Sequence, residues 1–135
     1  MHRILFVCIE NSTRSQMAEA FARIHGADFI EAASAGTRPS GTINPLAVEV
    51  LRERGYDLAA HRSKNVSELA AGRWDYIVTM GCGDECPWVP AAHREEWELP
   101  DPHGLAIDGM RALADDIERR VVNLIARIRV GEGRS

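Results

Sequence analysis

An apolar run, Ile4-Leu5-Phe6-Val7, ends on Cys8, and Arg14 follows six positions later where a helical pattern begins. A short apolar run without polar alternation reads as a strand buried on both faces. Met17, Phe21 and Ile24 then recur at steps of three and four, which predicts a helix over Ser15 to His25. Gly26 is placed to end it. A buried strand that turns within a few residues into a helix points to a parallel sheet with helices packed on it.

The remaining segments fit that unit. Phe29 to Ala33 predicts a second strand, and Gly36 to Gly41 a loop. Asn44-Pro45 marks a helix start, with Asn as N-cap and Pro at the first helical position. Leu46, Val50 and Leu51 form the buried face of that helix, and Gly55 closes it. Asp75 to Thr79 predicts a third strand and Trp97 to Leu99 a short fourth. Met110, Leu113, Ile117, Val121, Leu124 and Ile128 give one long amphipathic helix to Val130. The order is that of a layered α/β fold with a mostly parallel sheet and right-handed crossovers. Functional groups are expected beyond the carboxyl ends of the strands.

The 135 residues contain no repeat, linker or low-complexity stretch, and predict one domain over residues 1–130 with a frayed tail over 131–135. With 45% apolar and 27% charged residues the chain reads as globular. A net charge of −4 and a pI near 5.7 argue against nucleic acid as a partner. The run at Ile4–Val7 is too short for a signal peptide or a membrane span. Three cysteines are too few for a disulfide scaffold, and the number is odd. A cytoplasmic protein with reduced thiols is expected. Fifteen of the sixteen basic residues are Arg, Lys64 being the exception, a bias we assign to genome composition.

The sharpest motif is Cys8-Ile-Glu-Asn-Ser-Thr-Arg14-Ser15. A tight loop between strand and helix can turn several backbone N–H groups toward one point, and the helix N-terminus adds partial positive charge. Glu10, Asn11, Ser12 and Thr13 would contribute to this cradle, and Arg14 offers two prongs to a tetrahedral anion. Cys8 would lie on its floor, where such a field favours the thiolate. Ser15 could donate to the sulfur, and Asn11 could hold the loop. No Gly-Lys-Ser/Thr follows, so the loop is not the nucleotide P-loop.

This Cys-x5-Arg-Ser motif after the first strand resembles the low-molecular-weight protein tyrosine phosphatase superfamily. Arg14-Ser15-Gln16-Met17-Ala18-Glu19 and Ser34-Ala35-Gly36-Thr37 resemble its arsenate reductase branch, whereas the tyrosine phosphatases usually carry Pro where this chain has Gln16. The similarity runs from Ile4 to about Arg129. It implies a three-layer fold with a four-stranded, mostly parallel sheet flanked by helices. Asp101-Pro102 is a common turn dipeptide, but in the superfamily an Asp-Pro at this point is the general acid, a role the resemblance carries to Asp101. His103-Gly104 follows where the phosphatases place tyrosines, and Thr37–Ile43 also lacks aromatics. A pocket without aromatic walls suits a small oxyanion, with arsenate as substrate and phosphate or sulfate as analogues.

Cys82 and Cys86 lie after the third strand, at the same end of the sheet as Cys8, with Gly81 and Gly83 beside them. Reducing As(V) to As(III) needs two electrons. Cys8 would attack arsenate, a second thiol would attack the Cys8 sulfur as arsenite leaves, and a third would carry the disulfide outward. Cys86-Pro87 matches a Cys-Pro typical of the branch; Cys82 is offset, with three residues between the two instead of the usual six. Thioredoxin, or a small thiol such as glutathione or mycothiol, would be the reductant. No tightly bound cofactor and a monomer are expected.

Glu10 stands where the branch commonly has Gly, and is expected to face solvent. Glu19 and Ser34, with Asn11, resemble a potassium site of some arsenate reductases; the plainer reading is a helix-surface carboxylate and a strand-end hydroxyl. His93 and His103 read as solvated histidines, and Cys-x3-Cys with either of them gives only a weak zinc pattern. Two other functions compete with arsenate reduction. A phosphomonoester phosphatase would use Cys8, Arg14 and Asp101 alone, and an oxyanion or metal sensor would bind without turnover.

Overall fold

A computed structural model describes residues 1–69, 72–81 and 89–132. Four strands, β1 (His2–Cys8), β2 (Ile30–Gly36), β3 (Trp74–Thr79) and β4 (Ala91–Glu96), form one sheet in the order β2-β1-β3-β4. Every pairing is parallel. The helices are α1 (Arg14–Gly26), α2 (Pro45–Glu53) and α3 (Ile107–Glu132), with 3-10 turns at Leu58–Ala60 and Val66–Glu68.

Strand β1 is central, and its side chains alternate between two apolar layers. Ile4, Phe6 and Cys8 join Met17 and Phe21 of α1, Val50 and Leu51 of α2, and Ile117 and Leu124 of α3. Leu5 and Val7 join Val66, Trp74, Ile77 and Val89 on the other face. Burial on both sides is what an unbroken apolar strand demands. Helix α3 buries Met110, Leu113, Ile117, Val121, Leu124 and Ile128, the stripe its spacing predicts. Asn44 Oδ1 accepts from Leu46 N at 2.9 Å, with Pro45 opening α2, and Gly55 ends the turn beyond it at φ 81°.

Three expectations need correction. The fourth strand is Ala91–Glu96, not Trp97–Leu99. It lies at the sheet edge and is largely exposed, so hydrophobic patterning does not reveal it. Trp97 instead follows β4 and packs its ring on Phe6, with centroids 5.9 Å apart. Strand β2 runs to Gly36, because the small residues after Ala33 continue the ladder until Gly36 pairs with Cys8. Ile24 is exposed: the buried side of α1 also takes in Gln16, Ala20 and Glu19. Gly26 is the last residue of α1, as expected, but for a different reason. Its backbone is not left-handed, and a Cβ there would meet Ile30 Cγ1 at 2.8 Å.

Among the described residues no helix is long and apolar enough to cross a membrane.

Candidate active site

The register brings the carboxyl ends of β1, β2 and β3 together. Cys8 pairs with Gly36, and Met80, just past β3, donates its N–H to Val7 O at 2.8 Å. The chain leaving Cys8 crosses Gly36 so closely that a Cβ there would lie 2.5 Å from Ile9 O. Only glycine fits at that end of β2.

The loop from Cys8 to Thr13 is held from outside through its carbonyls. Cys8 O accepts from Thr37 N, Ile9 O from Arg38 N, Glu10 O from Ser40 N and the Ser63 hydroxyl, Asn11 O from Gln16 Nε2, and Ser12 O from Asn44 N. In a trans peptide the C=O and the next N–H point in opposite directions. Carbonyls turned outward therefore turn the amides inward, around the sulfur. Asn11 N, whose peptide partner is Glu10 O, donates to Cys8 Sγ at 3.2 Å. Thr13 makes no side-chain cap to α1, so the first turn of that helix also opens toward the loop.

Asn11 has a φ of 52°, the left-handed region that Asn tolerates better than most residues. Its side chain repays that strain. Asn11 Nδ2 donates to Ser15 Oγ at 2.8 Å, and Ser15 Oγ lies 2.8 Å from Cys8 Sγ. Asn11 Oδ1 accepts from Gln16 Nε2 at 2.9 Å and from Lys64 N at 3.0 Å. The order of donors runs toward the sulfur, from Gln16 through Asn11 and Ser15 to Cys8. All four residues are buried. A fully satisfied buried network of this kind fixes one geometry.

Arg14 opens α1 beside Gly81. A Cβ on Gly81 would lie 2.6 Å from Arg14 Nη1, and Gly81 has φ 79°. The backbone conformation favours glycine there, and any side chain at 81 would push the Arg14 guanidinium aside. A cavity of about 350 Å³ is lined by Ile9, Glu10, Arg14, Arg38, Asp101 and His103. Asp101 Oδ1 accepts from His103 N at 2.9 Å and lies 2.7 Å from His103 Nδ1, while His103 Nε2 lies 3.0 Å from Glu10 Oε2. The backbone N–H of His103, then its ring and the nearby Arg14 charge, hold the Asp101 carboxyl below its ordinary pKa.

The low molecular weight phosphotyrosine protein phosphatase family matches residues 3–132. The chain belongs to that family. It is 37% identical over 131 residues to the glutaredoxin arsenate reductase of Synechocystis sp., covering 95% of this chain and 99% of that protein. The structure of an arsenate reductase in the phosphate binding state superposes with a TM-score of 0.86 at 36% identity, over 95% of this chain and 99% of the other. An arginine phosphatase from Geobacillus stearothermophilus superposes with a TM-score of 0.81 at 26% identity, over 98% and 96%.

Within this member of the phosphatase family, Cys8, Asn11, Arg14 and Ser15 share one loop, and Asp101 faces the same cavity as Arg14. Ser12 and Thr13 border an adjoining cavity with Glu10, Ser40, Thr42 and Asn44. Cys82 and Cys86 lie outside the described residues. Glu10 is half-exposed and turns to His103 across the cavity mouth. The sequence marks Gln16 only as a feature of the branch and gives His61 and Lys64 no part in the site. His61 Nδ1 donates to Gln16 Oε1 at 2.9 Å, and Tyr56 OH hydrogen-bonds His61 Nε2. Burial, more than any neighbouring charge, pushes the His61 pKa down.

Glu19 is not a surface carboxylate: it is 4% exposed. Its Oε1 accepts from Ser34 Oγ at 2.7 Å and its Oε2 from Arg23 Nε at 2.9 Å. Lys64 Nζ lies 4.0 Å from Oε1, and His61 Nδ1 3.6 Å from Oε2. Asn11 Oδ1 already accepts two N–H groups. The residues expected to hold potassium thus have their oxygens committed to protein donors, with two permanent cations beside the carboxylate. They do not fit a bound potassium ion.

Proposed function

We propose that this protein reduces arsenate to arsenite through a covalent adduct on Cys8. The observation that carries the reading is the Cys8 sulfur, held by Ser15 Oγ and Asn11 N inside a loop whose carbonyls are bonded outward. Arsenate binds in the loop, with Arg14 taking two of its oxygens. The Cys8 thiolate attacks arsenic, an oxygen leaves with a proton from Asp101, and a sulfur–As(V) bond forms. To be that acid Asp101 must release His103 and take up a proton. The charge of the incoming oxyanion favours this, since a like charge opposes ionisation of the carboxyl.

A second thiol, from Cys82 or Cys86, then attacks Cys8 Sγ. The sulfur–arsenic bond breaks with its electron pair staying on arsenic, arsenite departs, and a disulfide remains. The third thiol can move that disulfide outward. An external thiol reductant of the thioredoxin, glutathione or mycothiol type restores it with two electrons. The names of the relatives support an arsenate substrate, and the free Cys8 thiol fits a reducing cytoplasm. Arsenate-dependent consumption of reducing equivalents with one of these three systems is the expected result; consumption with none overturns the proposal.

The second reading is hydrolysis of a phosphoester through a Cys8 phosphothiol. Its support is the family itself and the likeness to an arginine phosphatase. Cys86→Ser separates the two: it stops arsenate reduction in the first and leaves hydrolysis intact in the second.

A further inference from the structure

We propose that the Lys64 ammonium occupies the place of a monovalent cation beside the buried Glu19 carboxylate, so that the Cys8 loop needs no potassium. Lys64 is the sole lysine among sixteen basic residues. Its side chain is 14% exposed and that of Glu19 5%. Nζ donates to Arg62 O at 3.2 Å and faces Glu19 Oε1 at 4.0 Å. A carbonyl on one side and a carboxylate on the other are the oxygen donors that a hard monovalent ion would seek. An ammonium is a compact point charge that can take that place, where the broad guanidinium fork would not.

The residue is also wired to the catalytic loop. Lys64 N donates to Asn11 Oδ1 at 3.0 Å, and Lys64 O accepts from Gly36 N at 2.9 Å. Its charge therefore sits on the backbone segment that orients Asn11, and Asn11 orients Ser15 and Cys8. Other charged or titratable groups near this point are Arg23 and His61 beside Glu19, and Arg62 and Glu68 on the Lys64 side. Burial is the leading cause of a lowered Lys64 pKa, which Glu19 opposes. Without the ammonium, Glu19 would keep only Arg23 as a permanent counter-charge, and a vacancy of cation size would open between carboxylate and carbonyl. Lys64 is thus a positioning residue, acting on Cys8 through Asn11.

The test reads Cys8 directly and does not depend on what the substrate is. Iodoacetamide alkylation is followed by peptide mass spectrometry, so that Cys82 and Cys86 are scored apart, alongside thermal unfolding. Potassium chloride is varied from zero to about 100 mM against choline chloride, which keeps screening constant. In the wild type both readouts should change by less than about twofold, because no site is left to fill. Lys64→Ala should slow Cys8 alkylation by about tenfold, and potassium or ammonium should restore at least half of the loss, as binding to the folded state alone requires. A several-fold potassium response in the wild type overturns the proposal. So does a Lys64→Ala protein that behaves as wild type, or one that is impaired and recovers with neither ion. If Lys64→Ala does not fold alone, folding restored by potassium or ammonium supports the assignment, and folding restored by neither contradicts it.

Discussion

The Cys8–Ser15 loop and the Asp101–His103 segment face one cavity but are held in different ways. In the loop, Cys8, Asn11 and Ser15 are at most 3% exposed, and their partners come from β2, α1 and the segment around Lys64. Side chains in the Asp101 segment are about as exposed as those of any surface loop, 70% for Asp101 and 73% for His103. Its polar contacts are the His103 N–H on Asp101, a turn bond from Leu105 N to Pro102 O, and a histidine shared between two carboxylates. Buried hydrogen bonds are costly to break, whereas exposed ion pairs contribute little. The nucleophile thus rests in a preformed setting, and the acid sits on a segment that can rearrange with the substrate.

That contrast predicts how substitutions should differ. Cys8→Ser should remove turnover altogether, with oxyanion binding retained; measurable turnover would break the account of the loop. Asn11→Ala should come next, because it unsettles Ser15, Gln16 and Lys64 together. A loss of about 2–4 kcal/mol in stability is expected from denaturant unfolding, and activity should fall with it. Asp101→Asn should leave stability near wild type and lower kcat by about 10²–10³-fold. If it instead destabilised the fold as Asn11→Ala does, the contrast between the two segments would fail.

The smallest effect belongs to His103. Its N–H groups hold the Asp101 pKa down, so Asp101 loses the acid form at lower pH than an ordinary carboxyl. A residue without the imidazole lets that pKa rise. In His103→Ala the alkaline limb of kcat/KM should move to higher pH, with a gain of about two- to fivefold on that limb. A limb moving to lower pH would show that His103 assists the acid rather than restraining it.

Much of this architecture is written in local patterns. The apolar stripe of α3 and the Asn44-Pro45 start of α2 depend on near neighbours, and so they are legible. Strand β4 is not, because Ala91–Glu96 owes its place to pairing with β3 and carries the polar residues of a sheet edge. The same divide runs through the site. Cys8, Arg14 and Ser15 are eight positions or fewer apart and announce themselves. Glu19 and Lys64 meet across 45 positions, and a carboxylate on a helix gives no sign that a loop will cover it. The bridge from Glu10 to His103 is likewise a product of the fold, made by two residues that each read as solvated.

The most direct test of the central claim is disulfide mapping by mass spectrometry after a single turnover with arsenate and no reductant. The account predicts a bridge from Cys8 to Cys82 or Cys86, or between those two, formed in step with one arsenite released. Arsenite release with all three thiols still free would contradict it.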